Sequence, residues 1–150
     1  MRLILLNTVT FVLLSNLPVS ASEDVCMPKK KYGQDINICE YLRDMQREFV
    51  VSLPMKVSKN LTIMNAVVVK NLMTLTGIVS YDKAHLIKTA HSLNMTEEQL
   101  LSKHRTATLN MVCTNKVYSA ALYFGAEVNY NFQYNDGTAM TTVKIREENC

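Results

Sequence analysis

Long apolar runs and a strong charge of either sign are both missing from the sequence. A helix that crosses a membrane needs about 20 apolar residues, whereas the apolar stretch from Leu3 to Leu14 is short and is interrupted by Asn7. The chain has 16 Lys and Arg against 13 Asp and Glu, and its basic run, Lys29 to Lys31, does not alternate with aromatic residues. We therefore expect no nucleic-acid partner.

Recognisable catalytic and cofactor motifs are missing too. The sequence has no His-Glu-x-x-His metal motif, no Gly-x-Ser-x-Gly nucleophile motif and no Cys-x-x-Cys redox spacing. The adjacent carboxylates Glu97-Glu98 and Glu147-Glu148 would point apart on a helix or strand, so neither pair suits acid–base catalysis. The methionines are dispersed, which favours a role in the core over copper binding. We expect a protein that is not an enzyme and uses no metal or cofactor.

The first 21 residues have the features of an export signal. Arg2 precedes the apolar stretch, and Val19-Ser20-Ala21 suits signal peptidase. We predict cleavage after Ala21 and a single periplasmic domain over residues 22–150 in a Gram-negative bacterium. Cys26 follows Val25 and not a small residue, so lipidation is not expected. The alternative is an uncleaved leader that anchors the protein to the inner membrane on its periplasmic side.

Four cysteines in an exported chain predict disulfide bonds. They allow three pairings, and the sequence alone does not choose among them. Cys26 and Cys39 flank the start of the first predicted helix, whereas Cys113 opens the last predicted helix and Cys150 closes the last predicted strand. These positions favour pairing Cys26 with Cys39 and Cys113 with Cys150.

The first half of the domain predicts one helix followed by a β-hairpin. Apolar residues at three- and four-residue steps indicate a helix that Asp35 could cap and that Leu53-Pro54 would end; they are Ile38, Leu42, Met45 and Phe49. The run from Leu61 to Val69 has apolar residues at both its odd-numbered and its even-numbered positions, as in a strand that is covered on much of both faces. Lys70-Asn71 then turns the chain into a second strand from Leu72 to Tyr81, where Gly77 marks a bulge or a close backbone approach.

The second half predicts three helices and another hairpin. Asp82 caps a first helix, Thr96 with Gln99 forms a capping box for a second, and a third starts at Thr114 or Asn115 and stops at Gly125. Strict alternation then gives a strand with one buried face formed by Ala126, Val128, Tyr130, Phe132 and Tyr134. Asn135-Asp136-Gly137 supplies the turn into a strand whose Ala139, Thr141, Val143 and Ile145 share a face. The predicted fold is α+β, with an N-terminal helix, two hairpins forming a four-stranded, mainly antiparallel sheet, and helices on one face.

This order of elements resembles that of small exported bacterial proteins that include the α/β class of type II secretin pilotins. The resemblance covers residues 49–150 and rests on Leu53-Pro54, the first hairpin, Cys113 before a helix ending at Gly125, the Val128 to Phe132 strand, a glycine turn and Cys150. Those pilotins are lipoproteins, whereas this chain has no lipid-acceptor site, and Cys26 and Cys39 lie outside the shared pattern. A second resemblance is to exported partners that stabilise membrane-bound transcription activators of fimbrial operons.

Both resemblances imply a chaperone-like protein that binds another protein of the envelope. We expect an accessory role in a secretion or pilus assembly system, with a secretin or a pilus component as partner. The alternatives are a partner of a membrane-bound regulator of a fimbrial or virulence operon, and an inhibitor or immunity-type binder. The contact surface is expected at the edge of the Leu72 to Tyr81 strand or in the groove beside the helix at residues 115–124.

Three histidines lie in the predicted helical middle of the chain: His85, His91 and His104. Histidine titrates near physiological pH. We therefore hypothesise that they form a pH-responsive surface, while ordinary solvent-facing histidines are the simpler interpretation.

Overall fold

The structure is a computed structural model that describes residues 25–27 and 36–150. The predicted signal peptide, the Lys29 to Lys31 run and Asp35 lie outside these residues. The helices are α1 (Ile38–Val50), α2 (Lys83–Ser92), α3 (Glu97–Thr114) and α4 (Lys116–Tyr123), and the strands are β1 (Met55–Ser58), β2 (Leu61–Val69), β3 (Leu72–Val79), β4 (Glu127–Gln133) and β5 (Ala139–Ile145). A short 3-10 helix, Glu147–Asn149, follows β5.

One sheet with the order β1-β2-β3-β4-β5 contains all five of these strands. Neighbouring strands are antiparallel except for the central pair, β3 and β4, which runs parallel. The predicted α+β class and mainly antiparallel sheet are confirmed, but the sheet has one strand more than expected. The extra strand, β1, is only four residues long, too short to show a periodic pattern in the sequence.

The position of β3 corrects one expectation about the contact surface. Because β3 pairs with β2 on one side and with β4 on the other, its backbone groups are already used in the sheet. The Leu72 to Tyr81 segment therefore offers no free edge. Of the strands that the structure describes, β1 and β5 form the two edges.

A bulge in β2 corrects the expectation that this strand is covered on both faces. The pairing with β3 shifts between Ile63 and Asn65, so the extra residue, Met64, inverts the alternation for the rest of the strand. Ile63 and Ala66 are consequently buried, whereas Val67 and Val69 lie on the open face and are exposed. Gly77 of β3 pairs with Ile63 at the start of this bulge.

Local capping explains where each helix begins. Asn37, and not Asp35, caps α1, because its side-chain oxygen accepts from the backbone N–H of Glu40 at 3.1 Å. Asp82 caps α2, and the predicted capping box of Thr96 and Gln99 opens α3. Asn115 ends α3 and also caps α4.

Two further expectations concern how α4 ends and where Cys113 lies. After α4 the chain turns at Gly125 with a φ of 90°, the left-handed conformation that the sequence indicates. Cys113 lies within the last turn of α3 and does not open the last helix, because α4 begins only at Lys116, after the cap at Asn115.

The core lies between the helices and one face of the sheet. The expected inner face of β4 is buried from Val128 to Phe132, and β5 returns its buried Val143 and Ile145 beside it. Ala139 is exposed instead, because the pairing of β4 with β5 shifts between Phe132 and Gln133 and Met140 turns inward. Helix α1 packs over β2 and α3 packs over β5, so the two long helices cover different parts of the sheet.

Candidate functional site

An apolar groove opens where the helical layer is incomplete, between α1 and α3. It encloses about 340 Å³. Phe49 of α1, Met55 and Val57 of β1, and Met111 of α3 form its sides. We call this feature the apolar groove. Most of its lining side chains are apolar, and no Asp, Glu, Lys or Arg is among them, so it suits an apolar occupant.

The floor of the apolar groove is the inner face of the sheet. Leu61 and Ile63 of β2 and Tyr130 and Phe132 of β4 line it, although β3 lies between these two strands. Gly77 of β3 explains this arrangement, because a Cβ atom there would lie 3.0 Å from Leu61 Cδ1 and 3.2 Å from Ile63 Cδ1. The missing side chain lets residues of β2 and β4 meet above β3.

The apolar groove continues toward the start of α4. A neighbouring hollow of about 270 Å³ shares Phe49, Met55, Asn115 and Tyr118 with it and adds Met45 and Val117. The rim leaves large apolar side chains in contact with solvent, since Val57 is 44% exposed, Met111 42% and Val117 51%. These three residues place apolar surface at the mouth of the groove.

Two tyrosines stabilise one end of the apolar groove. The hydroxyls of Tyr118 and Tyr130 interact with each other. Burial raises the pKa of both hydroxyls, and for Tyr130 the interaction with Tyr118 raises the pKa further. Both tyrosines are thus neutral at physiological pH, and their rings present apolar faces to the groove.

His104 occupies the wall between the apolar groove and a second, more polar cleft on the other side of α3. Its ring packs edge-on against Phe132 with the centroids 4.4 Å apart. Within the described residues, its Nε2 atom is the one buried side-chain nitrogen or oxygen without a hydrogen-bond partner. Burial, and then the positive charge of Arg105, lower the pKa of His104, so this imidazole resists protonation.

The structure separates the three histidines that the sequence grouped. His85 and His104 line the same polar cleft, and the His85 ring contacts Tyr81 with the centroids 5.3 Å apart. His91 lies exposed in the last turn of α2 and lines none of the cavities described above. A pH-responsive surface formed by His85, His91 and His104 stays a prediction.

The cysteines form two disulfides, as their positions in the sequence favour. Cys26 is bonded to Cys39, and Cys113 is bonded to Cys150. The first joins the segment at residues 25–27 to α1, where the Ile38 N–H also donates to the Cys26 carbonyl at 2.9 Å. The second joins the end of α3 to the residues after β5. Neither pair lines the apolar groove, so both cystines have a structural position.

Nowhere in residues 25–27 and 36–150 do three His, Cys, Asp or Glu side chains gather as metal ligands would. In the same ranges no helix is both long and apolar enough to cross a membrane.

Comparison with solved structures shows three proteins with a similar fold. They are a Pseudomonas aeruginosa protein described as secreted (TM-score 0.59, 18% identity, 75% of this chain and 92% of that one), the type II secretion system pilotin AspS from Vibrio cholerae (0.58, 18%, 76% and 93%), and the pilotin EpsS from the Vibrio vulnificus type 2 secretion system (0.51, 16%, 74% and 96%). No family model and no curated protein matches the chain. The resemblance to pilotins expected from the sequence is thus confirmed at the level of the fold.

Proposed function

We propose that the protein is a non-catalytic accessory protein of the periplasm that binds and stabilises a partner of a secretion or pilus assembly system. The apolar groove carries this proposal. It is a preformed gap in the helical layer, its floor is a rigid sheet, and its rim exposes large apolar side chains. The similar fold of two pilotins supports a partner of the secretin type.

The chemistry of the groove defines the segment that it would bind. Its side chains offer many apolar contacts and few hydrogen-bonding groups, so the bound segment must bury a row of apolar side chains while keeping its own backbone groups satisfied. An amphipathic helix meets both requirements, because its backbone hydrogen bonds are internal. Such a helix would complete the layer between α1 and α3.

The expected gain in free energy is modest and comes mainly from the rim. Val57, Met111 and Val117 are each about half exposed, so covering each of them contributes about 1 kcal/mol. Three such contacts and the filling of the groove favour a partner held by shape and apolar area. We expect binding that depends only weakly on salt, since charged groups are few at this site.

A blocking variant tests the site. Ala107 lines the groove and is exposed, so Ala107→Trp would fill the groove without removing a core side chain. Thr106→Trp is the matched control, because Thr106 is the exposed neighbour on the same helix and does not line the groove. We expect the first variant to lose the partner and the second to keep it, with both unfolding at a similar temperature.

Photocrosslinking from the native envelope identifies the partner. A photoreactive residue is placed at Met111 on the rim, with a control at Thr142, which is exposed on the open face of the sheet. A secretin or pilus component captured from Met111 alone would support the proposal. A membrane-bound regulator would support the regulatory alternative, and a secreted enzyme would support the inhibitor alternative. Equal capture from both positions, or no capture, would count against a partner in the groove.

A further inference from the structure

A second hollow lies on the far side of His104, between α2, α3 and the loops at the ends of β3 and β4. Its deeper part, of about 380 Å³, is lined by Tyr81, His85, Lys103 and an apolar floor. Its shallower part, of about 480 Å³, extends over Lys59 and Asp82. The two parts share Asn60, Tyr81 and His85. We call the whole feature the polar cleft.

The floor of the polar cleft is apolar and well supported. Leu86 is buried in a small core cluster with Val79, Leu101 and Tyr134. Leu100 and Met140 pack against this cluster and line the cleft together with Leu86. The floor therefore offers a firm apolar surface to the body of a small molecule.

The rim of the polar cleft carries positive charge that no residue in the described part of the chain neutralises by an ion pair. Among the described residues, Lys59 and Lys103 form no ion pair, whereas the neighbouring Lys83 pairs with Glu97 at 3.2 Å and Arg105 pairs with Glu98. Of the residues in 25–27 and 36–150 that line the cleft, only Asp82 is acidic.

Asp82 is also the residue that caps α2. Its side-chain oxygen accepts from the backbone N–H of His85 at 2.7 Å. Lys59 and Lys103 outnumber this single carboxylate, so the lining of the cleft keeps a positive excess.

Tyr81 adds a polar group to both parts of the polar cleft. Burial, and then the nearby Tyr134, raise the pKa of its hydroxyl, so the hydroxyl remains a hydrogen-bond donor.

We infer that the polar cleft binds a small amphipathic carboxylate. Its carboxylate lies near Lys103 and the Tyr81 hydroxyl, and its apolar body packs on Leu86, Leu100 and Met140. A lysine ammonium is a compact point charge that can pair with a single carboxylate, and the apolar floor accepts the rest of an amphipathic molecule. The size of the cleft suits a short chain or a compact ring system.

This inference is independent of the partner proposed for the apolar groove, and it is tested on the purified protein alone. Octanoate is titrated while backbone amide chemical shifts are recorded by NMR. Octylamine serves as the matched probe, since it has the same apolar chain and the opposite charge. We expect octanoate to shift the amides of Tyr81, His85 and Leu100, and octylamine to leave them unchanged.

Variants assign the interaction to the cleft. Lys103→Gln should weaken octanoate binding about fivefold, as expected for one partly exposed charge. Lys88→Gln should leave it unchanged, because Lys88 is an exposed lysine that does not line the cleft. The inference is overturned if octylamine binds equally well, if both variants behave alike, if no shift occurs at millimolar octanoate, or if the shifts fall at Phe49 and Met111 of the apolar groove instead.

Discussion

Replacing Cys113 and Cys150 together with alanine removes the cross-link that closes the longer of the two disulfide loops. The two residues are 37 positions apart, and in the chain-entropy model a loop of this length stabilises the folded state by about 4 kcal/mol. The side chains themselves add little, because Cys113 is only half-buried and Cys150 is exposed. A loss of this size is a large part of the 5–15 kcal/mol that is typical of small domains.

Urea unfolding measures this loss. The chain contains no tryptophan, so the transition is followed by circular dichroism. The double variant should unfold at a much lower urea concentration than the oxidised native sequence. In reductant the two proteins should unfold together, because neither then has the long loop closed. A loss below about 1 kcal/mol, or a difference that persists in reductant, would refute the cross-link explanation.

Three further predictions concern single residues. The pKa of His104 is lower in the folded state than in the unfolded chain, so the free energy of unfolding should fall as the pH drops below about 6.5. His104→Gln should make the free energy of unfolding, measured in urea titrations, less dependent on pH. The control variant His91→Gln should keep the pH dependence of the native sequence. Gly77→Val should cost about 1–3 kcal/mol by overpacking the sheet, measured by thermal unfolding, and an unchanged midpoint would contradict the close approach described at this position. Asn115→Ala removes the acceptor for the first N–H groups of α4 and should cost about 1 kcal/mol in urea, while Asn110→Ala, at an exposed position within α3, should cost nothing.

Most of the secondary structure can be predicted from local signals in the sequence. Thr96 with Gln99, Asp82 before α2 and the alternation from Ala126 to Tyr134 each describe contacts within a few residues of the chain. Such contacts depend only on residues that are close in sequence, which is why these elements lie where the sequence predicts them. Gly125 belongs to the same class, since its left-handed conformation follows from the helix that it ends.

Pairing between distant segments could not be predicted in the same way. Nothing near Leu72 indicates that its partner is Glu127, so the sequence alone predicts that β3 has a free edge. The bulge at Met64 depends on the partner strand, and it alone decides that Val67 and Val69 are exposed. The apolar groove is still less visible, because it combines side chains from α1, β1, β2, α3, α4 and β4.

The parallel pair at the centre of the sheet also has a consequence for the order of folding. β1, β2 and β3 are joined by short turns, as are β4 and β5, so each group can form rapidly by itself. Joining the groups brings Leu72 beside Glu127, which lies 55 positions further along the chain (127 − 72). The residues between them, which include α2, α3 and α4, form the loop that this pairing closes. Closing this loop is the entropically demanding step, and the apolar groove, whose floor combines β2 with β4, comes into existence only after it.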